Sequence, residues 1–471
     1  MGQQLNGTAV RRDMIDAGGL ARRLRGDLIR PGDPGYGPAA RLWNGMISKH
    51  PGLVARCAGT SDVAAAVSFA RDNQLPLAIR GGGHGVAGQA LCDDGLVIDL
   101  AGMTAISVDA EARTVRAQGG CTLGAVDQAT QAYGLATPLG VVTETGIAGL
   151  TLSGGMGWLR RKYGLSCDNL IGAEVVTAAG EVLRADADEN TDLFWAIRGG
   201  GGNFGVVTSF DYQLHRVGPE VFFCYVLFTA DRAVEVLRAT EQFVADEPSG
   251  FAPIAVFGRV PAVPEFPPDA HGQPFVALLG LHPGDPGDGE RWLAPLRSIA
   301  PPIGDLSRRM TYVQAQSMLD EDYPGGGYYY WKSVNLPGLS DNVIDRLATG
   351  AAAAPCPGST IDVWFQGGAM AHAGGTGSAF GNREVPYLIG VEGNCERRAD
   401  ADANVAWVRN VVSGLRRYST GGVYLNFPGF LEEGEDLIRE GLASYDRLVE
   451  VKTRYDPDNI FRFNANICPL G

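Results

Sequence analysis

Residues 75–79, Leu-Pro-Leu-Ala-Ile, end at Arg80 and run directly into Gly81, Gly82, Gly83, His84 and Gly85. No other stretch restricts the possible structures of this chain as strongly. The apolar run reads as a strand. The consecutive glycines let the backbone approach a ligand closely and turn its N–H groups toward an anion, which residues with side chains could not do. Arg80 adds a fixed positive charge beside that loop. His84 then carries an imidazole whose neighbours have no side chains to cover it. Together these features suggest a phosphate-containing cofactor held in part by a covalent bond. A tight turn with an incidental histidine is the competing reading.

With 471 residues, the chain is too long for one core, so two domains are expected. No run approaches the ~20 apolar residues needed to span a bilayer. The formal charge of −14 argues against nucleic acid and anionic membranes as partners. Residues 1–14 are polar, and Arg11-Arg12 is followed by Asp13 rather than by an apolar stretch. No export signal is read there, and a cytoplasmic location is expected. The eight cysteines form no Cys-x-x-Cys pair and no zinc-ligand spacing with histidine, so no metal site is expected. Without an export signal, a disulfide framework is not expected either. Most of the cysteines read as small buried apolar residues.

Short strands alternate with a helix across 53–100, with Ser61 as a candidate N-cap, and 173–177 with 182–184 reads as a hairpin. From about Gly218, strands near 222–228, 275–281, 360–365 and 387–391 alternate with helices near 233–243 and 341–354. That mixture predicts an antiparallel sheet backed by helices, an α+β arrangement. Residues 261–274 read as a long surface excursion, and 437–455 as one amphipathic helix. No Gly-x-Gly-x-x-Gly opens a helix after a first strand, which argues against a Rossmann domain.

Further motifs occur in order: Gly146-Ile-Ala-Gly149-Leu-Thr-Leu-Ser153-Gly154-Gly155-Met-Gly157-Trp158, then Asp168-Asn169, Gly202-Asn203-Phe204-Gly205-Val-Val207, Tyr424-Leu-Asn426-Phe427 and Asn464-Ala-Asn466. With the His84 loop, this set resembles the FAD-linked oxidases of the vanillyl-alcohol oxidase superfamily, berberine-bridge-enzyme-like branch, in their bacterial form. The resemblance implies an N-terminal segment over 1–45 and a PCMH-type FAD-binding domain over 46–217. It implies a substrate domain over 218–420 and a C-terminal segment, 421–471, that completes the flavin domain.

It also implies roles for single residues. His84 matches the position bonded to the flavin 8α-methyl group, and Ile79, Arg80, Gly81, Gly82, Gly83, Gly85 and Gly88 would surround the flavin. Gly146, Gly149, Ser153, Gly154, Gly155, Gly157 and Asn169 would form a second contact set. Val207 would contribute main-chain atoms, and Asn464 and Asn466 would reach the ring edge. Many relatives add a cysteine link at the position held here by Val142, which has no thiol, so a single covalent link through His84 is expected. Thr145 matches a site lining the family's oxygen pocket, with a loop-capping hydroxyl as the alternative.

For the chemistry, strand alternation places Asp362, Trp364 and Gln366 on one face, and Tyr424 with Asn426 on another. Either face could equally be wet surface. Asp362 is the one carboxylate read on that wall. Tyr424 would act as acid or base if a cation such as Lys332 lowered its pKa. Tyr329, Tyr330 and Lys332, with Trp364, form a candidate substrate wall, a packed rim cluster being the alternative. The implied activity is oxidation of an alcohol, amine or phenolic, polyketide-like small molecule of secondary metabolism, with O2 as electron acceptor. A flavin-oxygenating oxidative cyclase, a dehydrogenase with another acceptor and a non-catalytic flavin-binding protein are the alternatives.

Overall fold

The computed structural model describes residues 17–246, 250–372, 377–432 and 434–470. The stretch 1–14, read above for export signals, lies outside them.

The first sheet runs in the order Asp27–Ile29, Leu53–Arg56, Leu96–Asp99, Leu77–Arg80. Leu53–Arg56 and Leu77–Arg80 both pair parallel to Leu96–Asp99, whose four residues are all buried. Parallel neighbours need a crossover, and the helix Thr60–Asp72 supplies it. The N-cap of that helix is Gly59, not Ser61. Asp62 in its first turn is buried and accepts backbone N–H bonds from Arg25, Gly26 and Ala58 at 2.9–3.0 Å. Those bonds tie the N-terminal segment to the sheet. The described part of the N-terminal segment, from residue 17, thus joins the first sheet through its strand Asp27–Ile29.

A second, antiparallel sheet has the order Ile106–Asp109, Thr114–Gln118, Val206–Gln213, Leu170–Val176, Val182–Asp186. The last two strands are the expected hairpin. The largest sheet is antiparallel throughout and begins at Glu220–Thr229. Its central order is Glu220–Thr229, Pro274–His282, Ile254–Arg259, Thr360–Phe365, Tyr387–Cys395, Tyr328–Leu336. Helices Ala233–Asp246, Asp341–Ala352 and Ala401–Leu415 cover one face of it. There Ile361, Val363 and Phe365 join their apolar core. By the two-residue alternation of a strand, Thr360, Asp362 and Trp364 emerge on the other face, toward the glycine loops. This is the α+β architecture read from the element pattern.

The C-terminal helix Tyr445–Tyr455 packs into the core of the second sheet, beside Leu193, Phe194 and Trp195. Lys452, fully buried, pins the tail. Its ammonium donates to Asp456 at 2.6 Å, to Asn203 O at 2.9 Å and to Phe461 O at 3.0 Å. The single helix expected over 437–455 is in fact two, Glu435–Gly441 and Tyr445–Tyr455. Between them Leu442 bridges Phe380, Ala443 N–H bonds Ala379 O, and Ser444 takes a φ of 51°. Tertiary pairing there replaces helical bonding.

The cysteine reading needs one correction. Cys356 and Cys395 form a disulfide across a Cα separation of 5.7 Å. Antiparallel pairing of Thr360–Phe365 with Tyr387–Cys395 brings these distant positions together, and spacing along the chain could not reveal it. Cys57, Cys92, Cys121, Cys167 and Cys224 are free and buried, and Cys468 is exposed.

Candidate active site

The strand Leu77–Arg80 delivers the glycine loop to a cavity between the first two sheets and the open face of the third. Glycine is required here by close approach. A Cβ on Gly82 would lie 2.5 Å from Gly146 N and 2.6 Å from its Cα, so the His84 loop and the 145–146 turn meet backbone to backbone. Gly146→Ala is therefore expected to destabilise the fold by about 1–3 kcal/mol, as overpacking does. The check is the denaturation midpoint, which an unaffected variant would leave in place.

His84 lines the cavity and stacks on Trp43 at 4.0 Å, and Trp43 stacks in turn on Tyr329 at 3.8 Å. Its Nε2 is buried without a hydrogen-bond partner among the described residues. Burial pushes its pKa down to about 4, so the ring is neutral near pH 7 and keeps a nitrogen lone pair.

Of the remaining residues expected to hold a cofactor, Ile79, Gly81, Gly82, Gly83, Gly85, Val142, Thr145, Gly146, Gly149, Ser153, Val207 and Asn464 line the same cavity. Others do not. Arg80 turns away: its Nη1 donates to Ala39 O at 2.9 Å and its Nε lies 4.0 Å from Asp99. Gly88 sits over Ile47 with φ 68°, a packing position. Gly154, Gly155 and Gly157 make room for Phe380, Ser166 and the Leu139 carbonyl respectively. Asn169 spends its amide on Tyr163 O and Leu165 O, both at 2.8 Å, and its oxygen on His215. Asn466 bonds Cys468 Sγ.

The opposite wall differs more from the sequence reading. Asp362 and Trp364 line it, but the strand ends at Phe365. Gln366 therefore leaves the alternation, with its N–H on Pro386 O and its carbonyl on Arg161. Tyr330 and Lys332 point to the other side of the sheet, where both meet Glu432, with Lys332 Nζ 3.7 Å from its carboxylate. Tyr329 stands behind His84 through Trp43, and Trp331 is the member of that run that reaches the cavity. Tyr424 and Asn426 are not on a strand. They lie in a turn closed by Phe427 N–H on Tyr424 O, and Asn426 Nδ2 donates to Tyr424 Oη at 2.9 Å. Met156 N–H also donates to that oxygen, at 3.1 Å. Burial pushes the Tyr424 hydroxyl up to about 12, and Lys332 is not there to lower it.

Glu392, on the strand Tyr387–Cys395, is a carboxylate that the sequence reading missed on this wall. Gly390 pairs directly with Asp362, and a Cβ at Gly390 would come 3.6 Å from Glu392 Oε1. Glu392 thus leans toward Asp362 over a position with no side chain. Glu392 accepts from Tyr323 Oη at 2.8 Å, whereas Asp362 Oδ1 has no hydrogen-bond partner among the described residues. Asp362 is 5% exposed and Glu392 2%. Burial first, and Asp322 with it, pushes Asp362 up to about 7, while burial and the Asp362 charge hold Glu392 well above the usual carboxylate range. Near neutrality the pair therefore retains a proton. The detectable signal was a lone glutamate at alternation parity with Asn394 in an otherwise apolar, glycine-spaced strand.

The cavity fits a flavin dinucleotide. A Cβ would fill the cradle at Gly82, and a neutral histidine and Asn464, whose Oδ1 is also unpartnered, line its edge. A family model described as an FAD binding domain matches residues 51–186, and one described as berberine and berberine-like matches 441–468. The chain is 29% identical to (R)-6-hydroxynicotine oxidase of Paenarthrobacter nicotinovorans over 95% of its length and 98% of that protein's. Along nearly its whole length the chain is similar to berberine-bridge-enzyme-like FAD-linked oxidoreductases. An FAD-linked oxidoreductase of Dictyostelium discoideum is likewise 29% identical, over 95% of both chains. The solved 6-hydroxy-D-nicotine oxidase of Arthrobacter nicotinovorans superposes with a TM-score of 0.82 at 27% identity, over 95% of this chain and 98% of that one. A Physcomitrella patens berberine-bridge-enzyme-like protein shares the fold, with a TM-score of 0.84 at 24% identity, over 96% and 98%. The protein is thus an FAD-dependent oxidoreductase with the PCMH-type α+β fold. No described helix is long and apolar enough to cross a membrane.

Proposed function

We propose that this enzyme is an oxidase that abstracts hydride from a carbon bearing an oxygen or nitrogen on a small, flat substrate, with O2 as the electron acceptor. The observation that carries this reading is the buried Asp362–Glu392 pair on the wall facing the glycine cradle. Bound FAD supplies the hydride acceptor. Asp362, with Glu392 beside it, takes the proton from the substrate oxygen or nitrogen as its carbon is oxidised. The Tyr424–Asn426 pair offers a hydroxyl and an amide to orient that group. Trp331, Trp364 and Phe427 present apolar surface that excludes water. In this reading His84 is the single covalent anchor, because the position of a second link is Val142, buried and without a thiol.

The test is an absorption spectrum of the purified protein before and after denaturation, followed by peroxide release across alcohols, amines and phenolic compounds. A yellow protein that releases no peroxide with any substrate that bleaches its flavin is a dehydrogenase instead. Thr145 lines the cavity three residues from Val142 and is small enough to leave space for oxygen. Thr145→Leu is expected to slow reoxidation by O2 in stopped-flow while leaving reduction by substrate nearly unchanged. Equal reoxidation rates remove Thr145 from the oxygen reaction and favour another acceptor.

A further inference from the structure

We propose that the substrate side of the cavity is built for a cation, and that the enzyme takes a protonated amine attached to an aromatic or similarly flat body. This deepens the oxidase reading and rests on it for the reaction, though not for the binding.

Charge around the cavity is lopsided. Its described lining holds three carboxylates, Asp322, Asp362 and Glu392, against one guanidinium, Arg259. The arginine is already engaged, donating from Nη2 to Ala352 O. Two of the carboxylates are buried in the wall itself, and Asp322 stands at the solvent-open end. Asp362 and Glu392 come from neighbouring strands, and the residue of the Glu392 strand directly opposite Asp362 is Gly390. Two acids thus reach the same stretch of cavity wall from adjacent strands, beside a residue, Gly390, that has no side chain.

A second, independent observation points to a ligand. Asp362 is nearly fully buried, lines the cavity and has a carboxylate oxygen with no donor among the described residues. A buried carboxylate oxygen without a donor is costly, and a donor carrying positive charge is the ligand group that supplies the missing hydrogen bond and also balances the negative charge left on the pair. An alcohol would provide the hydrogen bond only.

The aromatic surround matches the same chemistry. Tyr323, which donates to Glu392, packs edge-on to Trp331 at 5.4 Å, and Trp331 packs edge-on to Phe427 at 5.4 Å. Phe427 also meets Trp364 and Tyr424. This aromatic, apolar area beside the carboxylates takes up the flat hydrocarbon body that carries the ammonium group.

The experiment is calorimetric titration of the flavin-loaded enzyme with three probes of similar size: benzyltrimethylammonium, benzyl alcohol and phenylacetate. Benzyltrimethylammonium has neither an N–H nor a nitrogen lone pair, so it cannot be oxidised as an amine, and its binding reads the preference for positive charge apart from turnover. Benzyltrimethylammonium is expected to bind at least about tenfold more tightly than the alcohol, since the ion pair is shielded from water, and phenylacetate most weakly. Glu392→Gln, which keeps the side-chain shape, and Asp322→Asn at the mouth are each expected to erode that preference. Equal binding of cation and alcohol, tighter binding of the anion, or an unchanged preference in both variants overturns the proposal. Flavin reduction under anaerobic conditions separates this proposal from the oxidase reading. If alcohols bleach the flavin while the cation fails to bind, the oxidase reading stands and the amine assignment falls. If the cation binds but neither amines nor alcohols bleach the flavin, the site stands and the oxidase reading falls.

Discussion

Asp362→Asn is expected to slow flavin reduction by substrate ~10²–10⁴-fold while leaving flavin bound, the loss typical of a missing general base. Asp362 lies on the wall across from the glycine cradle, so its amide should not disturb cofactor retention. Glu392→Gln should slow the same step by a smaller factor, since Glu392 already accepts the Tyr323 hydroxyl and acts on the proton through Asp362. The pH profile separates a base from a merely structural residue. Asp362 works when deprotonated, and its pKa is pushed up to about 7. In the wild type, reduction should therefore rise with pH through about 7 and level off above it, and in Asp362→Asn that limb should vanish. Stopped-flow reduction across pH 5.5–8.5, roughly 1.5 units either side of that midpoint, is the measurement. Wild-type rates in both variants would move the base elsewhere. Tyr424 would be next in line, although a hydroxyl pushed up to about 12 is better suited to holding a hydrogen bond than to taking a proton near neutrality.

The second large effect is at His84. In His84→Ala, denaturation should release all the flavin, whereas the wild type should stay yellow after acid or detergent. The neutral imidazole, stacked on Trp43 and held at the cavity, is the nucleophile a covalent link requires. Loss of the link should also lower the flavin reduction potential, read by redox titration, because the histidyl substituent withdraws electron density from the ring. A peptide from the wild type carrying flavin on a cysteine would overturn the single-link assignment, as would a wild type that bleaches on denaturation.

How much was legible along the chain differs from region to region, for physical reasons. Glycine loops announce themselves because close backbone approach leaves no substitute for glycine, so residues 81–85 and 146–149 marked the cradle before any coordinates were needed. The expectation of a single covalent link was equally local: a histidine among glycines, and a valine where the resemblance would need a thiol. Element types followed from periodicity, and with them the α+β class.

What periodicity could not supply was which strands lie side by side and which face looks inward. Glu392 joins Asp362 only through the register that sets Gly390 opposite it. Cys356 meets Cys395 through the same pairing. Tyr330 and Lys332 differ by one residue from Trp331, and that single step turns them to the far side of the sheet. Glycines in motifs were also over-read, since Gly154, Gly155 and Gly157 yield space to Phe380, Ser166 and Leu139 rather than to the cavity. By itself the sequence determined the glycine cradle and marked His84 as the residue proposed to anchor the cofactor, because both depend on residue types within a few positions. The catalytic wall was decided only by the tertiary structure, because it is made from side chains far apart in the chain whose meeting depends on strand register and burial.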